Sequence, residues 1–338
     1  MSTLRSPDRT IDVLYSCERA FMRKTFEAID RHLDAESAYV PLRAEAVGCW
    51  DEVPMVDVAP GDVDAIDEAV RALDPDVVVE NHRFRPEGRQ YVREFPVVHV
   101  RHGCSLGRDE EWNTTRDLGD LVDVALAPGA FWADHYREQF PDGVQTPVVG
   151  VPEADALVDA DAPRQRRVLY APTNHNYGGG SYVNTADHVL DVFADSDYEL
   201  RFRPHPMDRI EEPGESVTER CRQRIADLPN VTFDDEATPR ESLLWADLLV
   251  SDYSGIVTEW LHTGRPLVQL TDIAADREVP EVGHATDRLT LELVDELYED
   301  GYAPDVERRR DQKLSELGIP MDGRAGERAA AEVATCAQ

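Results

Sequence analysis

The chain has 338 residues, and 35 Lys and Arg against 68 Asp and Glu leave a formal net charge of −33. No basic stripe with interleaved aromatics is present, which excludes a nucleic-acid partner, and no apolar run approaches membrane-span length. Five scattered cysteines, Cys17, Cys49, Cys104, Cys221 and Cys336, form no CxxC pair and no His/Cys cluster, which excludes a zinc site and a disulfide framework.

Only Lys24 and Lys313 among the cations are lysines. Such an acidic, lysine-poor surface predicts a cytoplasm full of salt, because at molar ionic strength the screening length is only about 3 Å and the carboxylates then act mainly as hydration sites. The N-terminal segment carries a five-residue apolar run, too short for a signal peptide, so the expected location is cytoplasmic.

Short apolar runs alternate with helical patterns along the chain. "IDVLYS" reads as a strand, followed by a helix over residues 18–33; a helix over 63–73 precedes the strand "PDVVVEN", and "FPVVHV", "VDVALAP" and "TPVVGVP" read as further strands. Over residues 153–165 the periodicity lapses into an acidic, Ala-rich, Pro-containing segment, which predicts a linker between domains 1–152 and 166–338. The rhythm resumes with the strand "VLYAPT", a helix from about 185 to 194, "YELRFRPHP", a helix from about 216 to 228, "VTFDD", a helix from about 239 to 245, the strand Leu248 to Val250, and a helix over 256–262 stopped by Gly264 and Pro266. The predicted fold is α/β: two Rossmann-like, doubly wound parallel-sheet domains facing across a cleft.

Four polar turns follow strands. "VVHVRHGCSLG" delivers Arg101, His102 and Gly103 to a strand's carboxyl edge, where glycine admits close approach of a ligand and an imidazole suits a general base; the alternative is a loop histidine with no task. His99, inside the strand, reads as structural. "LYAPTNHNYGGGSYVNT" links a strand to a helix from Thr173 through three glycines. It suits a phosphate cradle or a plain flexible loop, and it lacks the Gly-Lys-Ser/Thr ending of a P-loop. In "LRFRPHP" the strand alternation puts Arg201 and Arg203 on one face, and two prolines brace His205; cations beside a rigid imidazole suit a pyrophosphate, the alternative being surface arginines. In "SDYSGIVTEW" Asp252 precedes Ser254, an N-cap, and Gly255 leaves first-turn amides open to an anion. Glu259, one turn on, suits the two hydroxyls of a ribose. The alternative is an ordinary N-cap before a core helix.

Taken together, "HG" after a strand, "LYAPT", "RPHP", "SDYSG" with its following Glu, "GRPLVQL" and "DGRAGERAA" resemble the CDP-glycerol glycerophosphotransferases, teichoic-acid primases and polymerases of GT-B fold. The resemblance spans about residues 95–335 and is strongest over 168–270. It implies an N-terminal acceptor domain and a C-terminal nucleotide-donor domain. His102 is then the catalytic base, and His205, Asp252, Ser254 and Gly255 lie around the pyrophosphate of a CDP-activated alditol donor. Arg101, Gly103, Thr173, Arg203 and Glu259 complete the expected substrate-binding set. The acceptor would be membrane-linked or a glycan, with peripheral contact at the inner membrane face, and CMP would leave with no cofactor and no metal cluster required.

The family's first motif runs His-Gly-Thr-Pro-Leu-Lys, where this chain has His102, Gly103, Cys104, Ser105, Leu106 and Gly107. The UDP-N-acetylglucosamine 2-epimerases share the late Ser-Asp and Gly-Lys-Pro pattern. Their His-Val-Glu-Ala-Gly strand motif would place its acidic residue at Arg101, a mismatch that favours phosphotransfer. A GT-B glycosyltransferase would share the same cleft, and a non-catalytic nucleotide-binding scaffold would retain it without needing His102.

Overall fold

The computed structural model describes residues 3–4, 11–44, 54–81, 90–101, 103–104, 106, 121–158, 160–161, 163–176, 179–236, 238–274 and 279–338. The chain divides into two compact units. The first comprises Met1–His102, Asp109–Asp155 and Leu317–Gln338, and the second Gly103–Arg108 and Ala156–Glu316.

The first unit contains β1 (Thr3–Leu4), β2 (Val13–Cys17), α1 (Arg23–Asp30), β3 (Ser37–Pro41), β4 (Met55–Val56), α2 (Val63–Leu73), β5 (Val77–Glu80), β6 (Val97–Val100), β7 (Val124–Leu126) and α3 (Ala130–Gln139). The strands form one parallel sheet in the order β1-β4-β3-β2-β5-β6-β7. Every residue of β2, β5 and β6 is buried. Continuous Val-rich runs are what a parallel sheet covered on both faces requires. Helix α2 has its expected bounds for local reasons: Asp62 caps it by accepting Ala65 N–H at 3.1 Å, and Asp74 ends it in the left-handed conformation at φ 49°.

Two expectations change in this unit. "TPVVGVP" is not a strand of the sheet; it runs beside β7 in two isolated bridges, Val124 to Gln145 and Ala127 to Val148. Pro147 and Pro152 lack the N–H that a ladder needs, and Gly150 turns the chain at φ +100°. The helix expected over 18–33 begins instead as a short 3-10 turn at Ala20–Met22 and becomes α1 at Arg23.

The second unit contains β8 (Arg167–Tyr170), α4 (Tyr182–Phe193), β9 (Glu199–Phe202), α5 (Gly214–Ile225), β10 (Val231–Phe233), α6 (Arg240–Trp245), β11 (Leu248–Ser251), α7 (Gly255–Leu261), β12 (Leu267–Leu270), β13 (His284–Thr286), α8 (Leu291–Glu299) and most of α9 (Pro304–Leu317). Its six parallel strands run β10-β9-β8-β11-β12-β13. Numbered within the unit, that is 3-2-1-4-5-6, the order of dinucleotide-binding sheets. An aromatic cluster of Tyr170, Tyr182, Phe193 and Phe202 fills its core.

The described residues of the stretch 153–165, expected as a linker, are held by burial and hydrogen bonds. A 3-10 helix covers Pro152–Leu157, and Ala154 and Leu157 are buried. Beyond it, Arg265 donates to the carbonyls of Ala160 and Asp161, while the buried Asp247 carboxylate accepts the N–H groups of Arg164, Gln165 and Arg167. The chain then returns to the first unit as α10 (Ala325–Cys336). This corrects the expected domain 166–338. Ala329, Ala330 and Val333 join Val13, Val79 and Val98 in the first unit's core, and the Asp155 carboxylate accepts Ala325 and Gly326 N–H at 2.9 and 2.7 Å. Among the described residues, no helix is long and apolar enough to cross a membrane.

Candidate functional site

In the second sheet the chain runs from β8 outward through β9 and β10, then returns to the other side of β8 as β11. The loops leaving β8 and β11 therefore diverge at the strands' carboxyl ends, the position where open α/β sheets bind ligands. The sequence places "APTNHNYGGGS" after β8 and "DYS" after β11.

One carboxylate ties these two loops together. Asp252, fully buried, accepts Thr173 N–H at 3.0 Å on Oδ1 and 3.2 Å on Oδ2. It also accepts Ser181 N–H at 3.0 Å, the Ser181 hydroxyl at 2.9 Å and Ser254 N–H at 3.0 Å. Burial raises the Asp252 pKa, and the bonds from Ser181, Thr173 and Ser254 oppose that shift. The strand beyond is fastened too, since buried Gln269 of β12 donates to the Asp252 carbonyl at 3.1 Å. Thr173, Asp252 and Ser254 are thus brought together by the protein's own hydrogen bonds. The Ser254 amide, just before the first-turn amides expected to be open to an anion, is engaged by Asp252.

The glycine loop is packed against its own beginning. A Cβ on Gly180 would lie 2.5 Å from the Thr173 carbonyl oxygen, so this position requires the bare backbone. Gly255 opens α7; its capping residue Ser254 makes no side-chain cap bond. A Cβ on Gly255 would lie 3.7 Å from the backbone of Gly103 and Cys104, and Gly103 holds φ +112°. The glycines of the "HG" and "SG" motifs are therefore backbone neighbours within the second unit. Glu259 is buried on α7 at 2% exposure. Arg101 is half-buried at the end of β6, and His102 lies outside the described residues.

The loop after β9 holds Arg203 and His205. Arg203, 6% exposed, donates to Asp234 at 2.7 Å and to the Glu236 carbonyl at 2.8 Å. Expected as a cation facing a ligand, it is instead paired inside the protein. Arg201 diverges from it, stacking 4.3 Å from the centre of the Trp245 ring and donating to Ser242. His205 is half-buried, and its Nδ1 accepts Met207 N–H at 3.2 Å, so the neutral ring carries its proton on Nε2. Arg209 donates to the carbonyls of Pro204 and Asp234, and burial, then the charge of Arg203, lowers its pKa to about 10.

Sequence reasoning missed Asp208, Ser181 and Asp234. Asp208, three residues beyond His205, is fully buried and accepts the Asn174 amide at 3.0 Å and His175 N–H at 3.2 Å, joining this loop to the one after β8. A carboxylate next to "RPHP" was a visible signal for Asp208, and the Ser before the helix pattern was one for Ser181. Among the described residues, no three His, Cys, Asp or Glu side chains gather to hold a metal ion.

An α/β chain of two parallel sheets, one in the dinucleotide-fold order and knotted at its switch point, defines the class. The profile of the family described as CDP-Glycerol:Poly(glycerophosphate) glycerophosphotransferase matches residues 62–277, more than half of the chain. The protein belongs to that family of transferases.

Among solved structures, the chain is similar to the wall teichoic acid polymerase TagF in a histidine-to-asparagine form soaked with CDPG: 14% identity, TM-score 0.67, covering 98% of this chain and 90% of that one. It is also similar to the S. aureus MnaA–UDP complex (16%, TM-score 0.61, 96% of each chain). A UDP-N-acetylglucosamine 2-epimerase is a further match (15%, TM-score 0.58, 96% and 95%). At these identities the likeness shows the fold, the GT-B class expected from the sequence. No curated protein matches the sequence.

Proposed function

We propose that the protein transfers glycerol phosphate, or a similar alditol phosphate, from a CDP-linked donor to an acceptor hydroxyl and releases CMP. The observation that carries this reading is the family match over 62–277, which includes both the His102 turn and the knotted loops after β8, β9 and β11. In the reaction the acceptor oxygen attacks the glycerol-linked phosphorus, the bond from that phosphorus to CMP breaks, and the acceptor's proton passes to His102.

His205 is suited to the pyrophosphate, because its Nε2 proton is the one a phosphate oxygen can accept. The start of α7 supports the same region, with Gly255 giving close backbone approach and Glu259 one turn further for a ribose. Arg203 contributes by holding the His205 turn through Asp234 rather than by meeting the donor. The acceptor, membrane-linked or glycan, and work at the inner membrane face in the cytoplasm belong to this reading through the family resemblance.

The sugar-nucleotide reading shares the fold, and the family match favours phosphotransfer over it. Calorimetry with CMP, CDP-glycerol and UDP in molar KCl tests the proposal. Cytidine nucleotides are expected to bind, and His205→Ala to weaken them; preference for UDP would move the chain to the sugar-nucleotide reading.

A further inference from the structure

Two buried carboxyls hold alternate amides of the loop after β8. Asp252 takes Thr173 N–H and receives donors on both oxygens. Asp208 takes His175 N–H and the Asn174 amide on Oδ1 alone, and its Oδ2, wholly buried, has no hydrogen-bond partner among the described residues. The residue is closely surrounded. The Thr218 hydroxyl fixes its carbonyl at 2.8 Å, and the Gly214 backbone packs so closely that a Cβ there would lie 2.5 Å from Oδ1.

A bare carboxylate oxygen in such a place is costly, whereas a carboxylic acid is far less so. We propose that Asp208 is a positioning residue that works as a neutral acid: it fastens the His205 turn to Asn174 and His175 without setting a second charge beside Asp252, and anion binding at the Thr173–Ser181 loop favours its protonated form. The second half of this proposal rests on the reading of that loop as part of a phosphate-donor site; the first half does not.

The surroundings agree. Burial pushes the Asp208 carboxyl up to about 7; His175 N–H pulls the other way, and the charges of Asp252 and Glu211 add to the rise. Tyr182 of α4 also faces it, its phenol pushed well up by burial, and from α5 the neighbours are neutral Gly214 and Thr218. Asp208, with one oxygen unfilled, holds a proton more readily than Asp252, whose two oxygens both accept hydrogen bonds.

The sign follows from linkage. The folded pKa lies above the unfolded value of about 3.9, so the native state binds more protons between them and stability falls as pH rises through that window, levelling off above about 7. Asp208→Asn keeps the Oδ1 acceptor and cannot ionise. Melting of the whole chain in concentrated KCl is therefore expected to show the variant gaining on wild type from about pH 4 to about pH 7; parallel curves would overturn the protonation.

If the variant fails to fold, difference infrared spectra of the wild type over the same range decide. Loss of a buried protonated-carboxyl band supports the assignment, and its absence overturns it. For the coupling, calorimetry with CMP near pH 8 in buffers of different ionisation enthalpy should show proton uptake in wild type, up to one proton, and none in Asp208→Asn. Equal uptake in both overturns the coupling. No binding at all overturns the donor reading and the coupling with it, and leaves the melting result to decide the protonation.

Discussion

Thr173 donates its backbone N–H to both oxygens of Asp252, at 3.0 and 3.2 Å, across 79 positions of sequence. With the bonds from Ser181 and Ser254, this carboxylate holds the loops after β8 and β11 and the start of α4 in one arrangement. Negative charge at a helix's amino end is favourable as well.

Asp252→Ala is expected to destabilise the chain by at least about 3 kcal/mol, because several buried donors lose their acceptor together. Asp252→Asn should cost less, about 1–2 kcal/mol, since one acceptor oxygen remains. Denaturant unfolding in molar KCl measures both. Equal stability of Asp252→Ala and wild type would show that the knot does not hold the fold.

The two glycines of the site should respond differently to alanine. At Gly180 the added carbon meets Thr173 and its carbonyl, so Gly180→Ala is expected to cost about 1–3 kcal/mol and to weaken nucleotide binding by displacing the loop. At Gly255 the nearest backbone is 3.7 Å away, an ordinary contact, so Gly255→Ala should be close to neutral. Gly255→Asp should abolish binding by setting a carboxylate where a phosphate is expected. Calorimetry and melting on the three variants check this.

Arg203 and His205 separate structure from binding. Arg203→Ala strands the buried Asp234 carboxylate and is expected to lower stability by about 3–5 kcal/mol. His205→Ala loses the bond to Met207 N–H but strands no buried charge, and should melt nearer to wild type than Arg203→Ala while weakening CDP-glycerol binding. A stable Arg203→Ala variant with weakened binding would reverse the role given to Arg203.

Strands β5, β6 and β11 and the four polar turns were legible because those strands are short, fully buried Val/Leu-rich runs and each turn carries Gly, Pro or Ser at fixed offsets. Strand β3, "SAYVP", escaped because its apolar run is short and begins at a half-buried serine. The place of α10 was illegible for another reason: nothing in "GERAAAEVATC" says which core its Ala face fills, and that choice is made by Asp155 and the first unit's valines. Residue type suggested that Arg203 faces a ligand. Only the fold reveals Asp234 beside it, from a different strand's end.

The charge of −33 leads to a salt prediction. At 0.1 M salt the screening length grows to about 10 Å and like carboxylates repel, so the melting temperature is expected to rise steeply between 0.1 M and 3 M KCl. A fully cooperative native melt at 0.1 M with no gain at 3 M would contradict the reading of a salt-adapted surface.

Phosphotransfer from a CDP-alditol is measured by offering the purified chain CDP-glycerol, CDP-ribitol and UDP-N-acetylglucosamine in molar KCl with an acceptor, and following nucleotide release by wild type and His102→Ala. CMP is expected from a CDP-alditol, with turnover cut about 10²- to 10⁴-fold in His102→Ala and donor affinity unchanged in that variant. Release of UDP from the sugar nucleotide with none from either CDP-alditol, or wild-type turnover by His102→Ala, would contradict it.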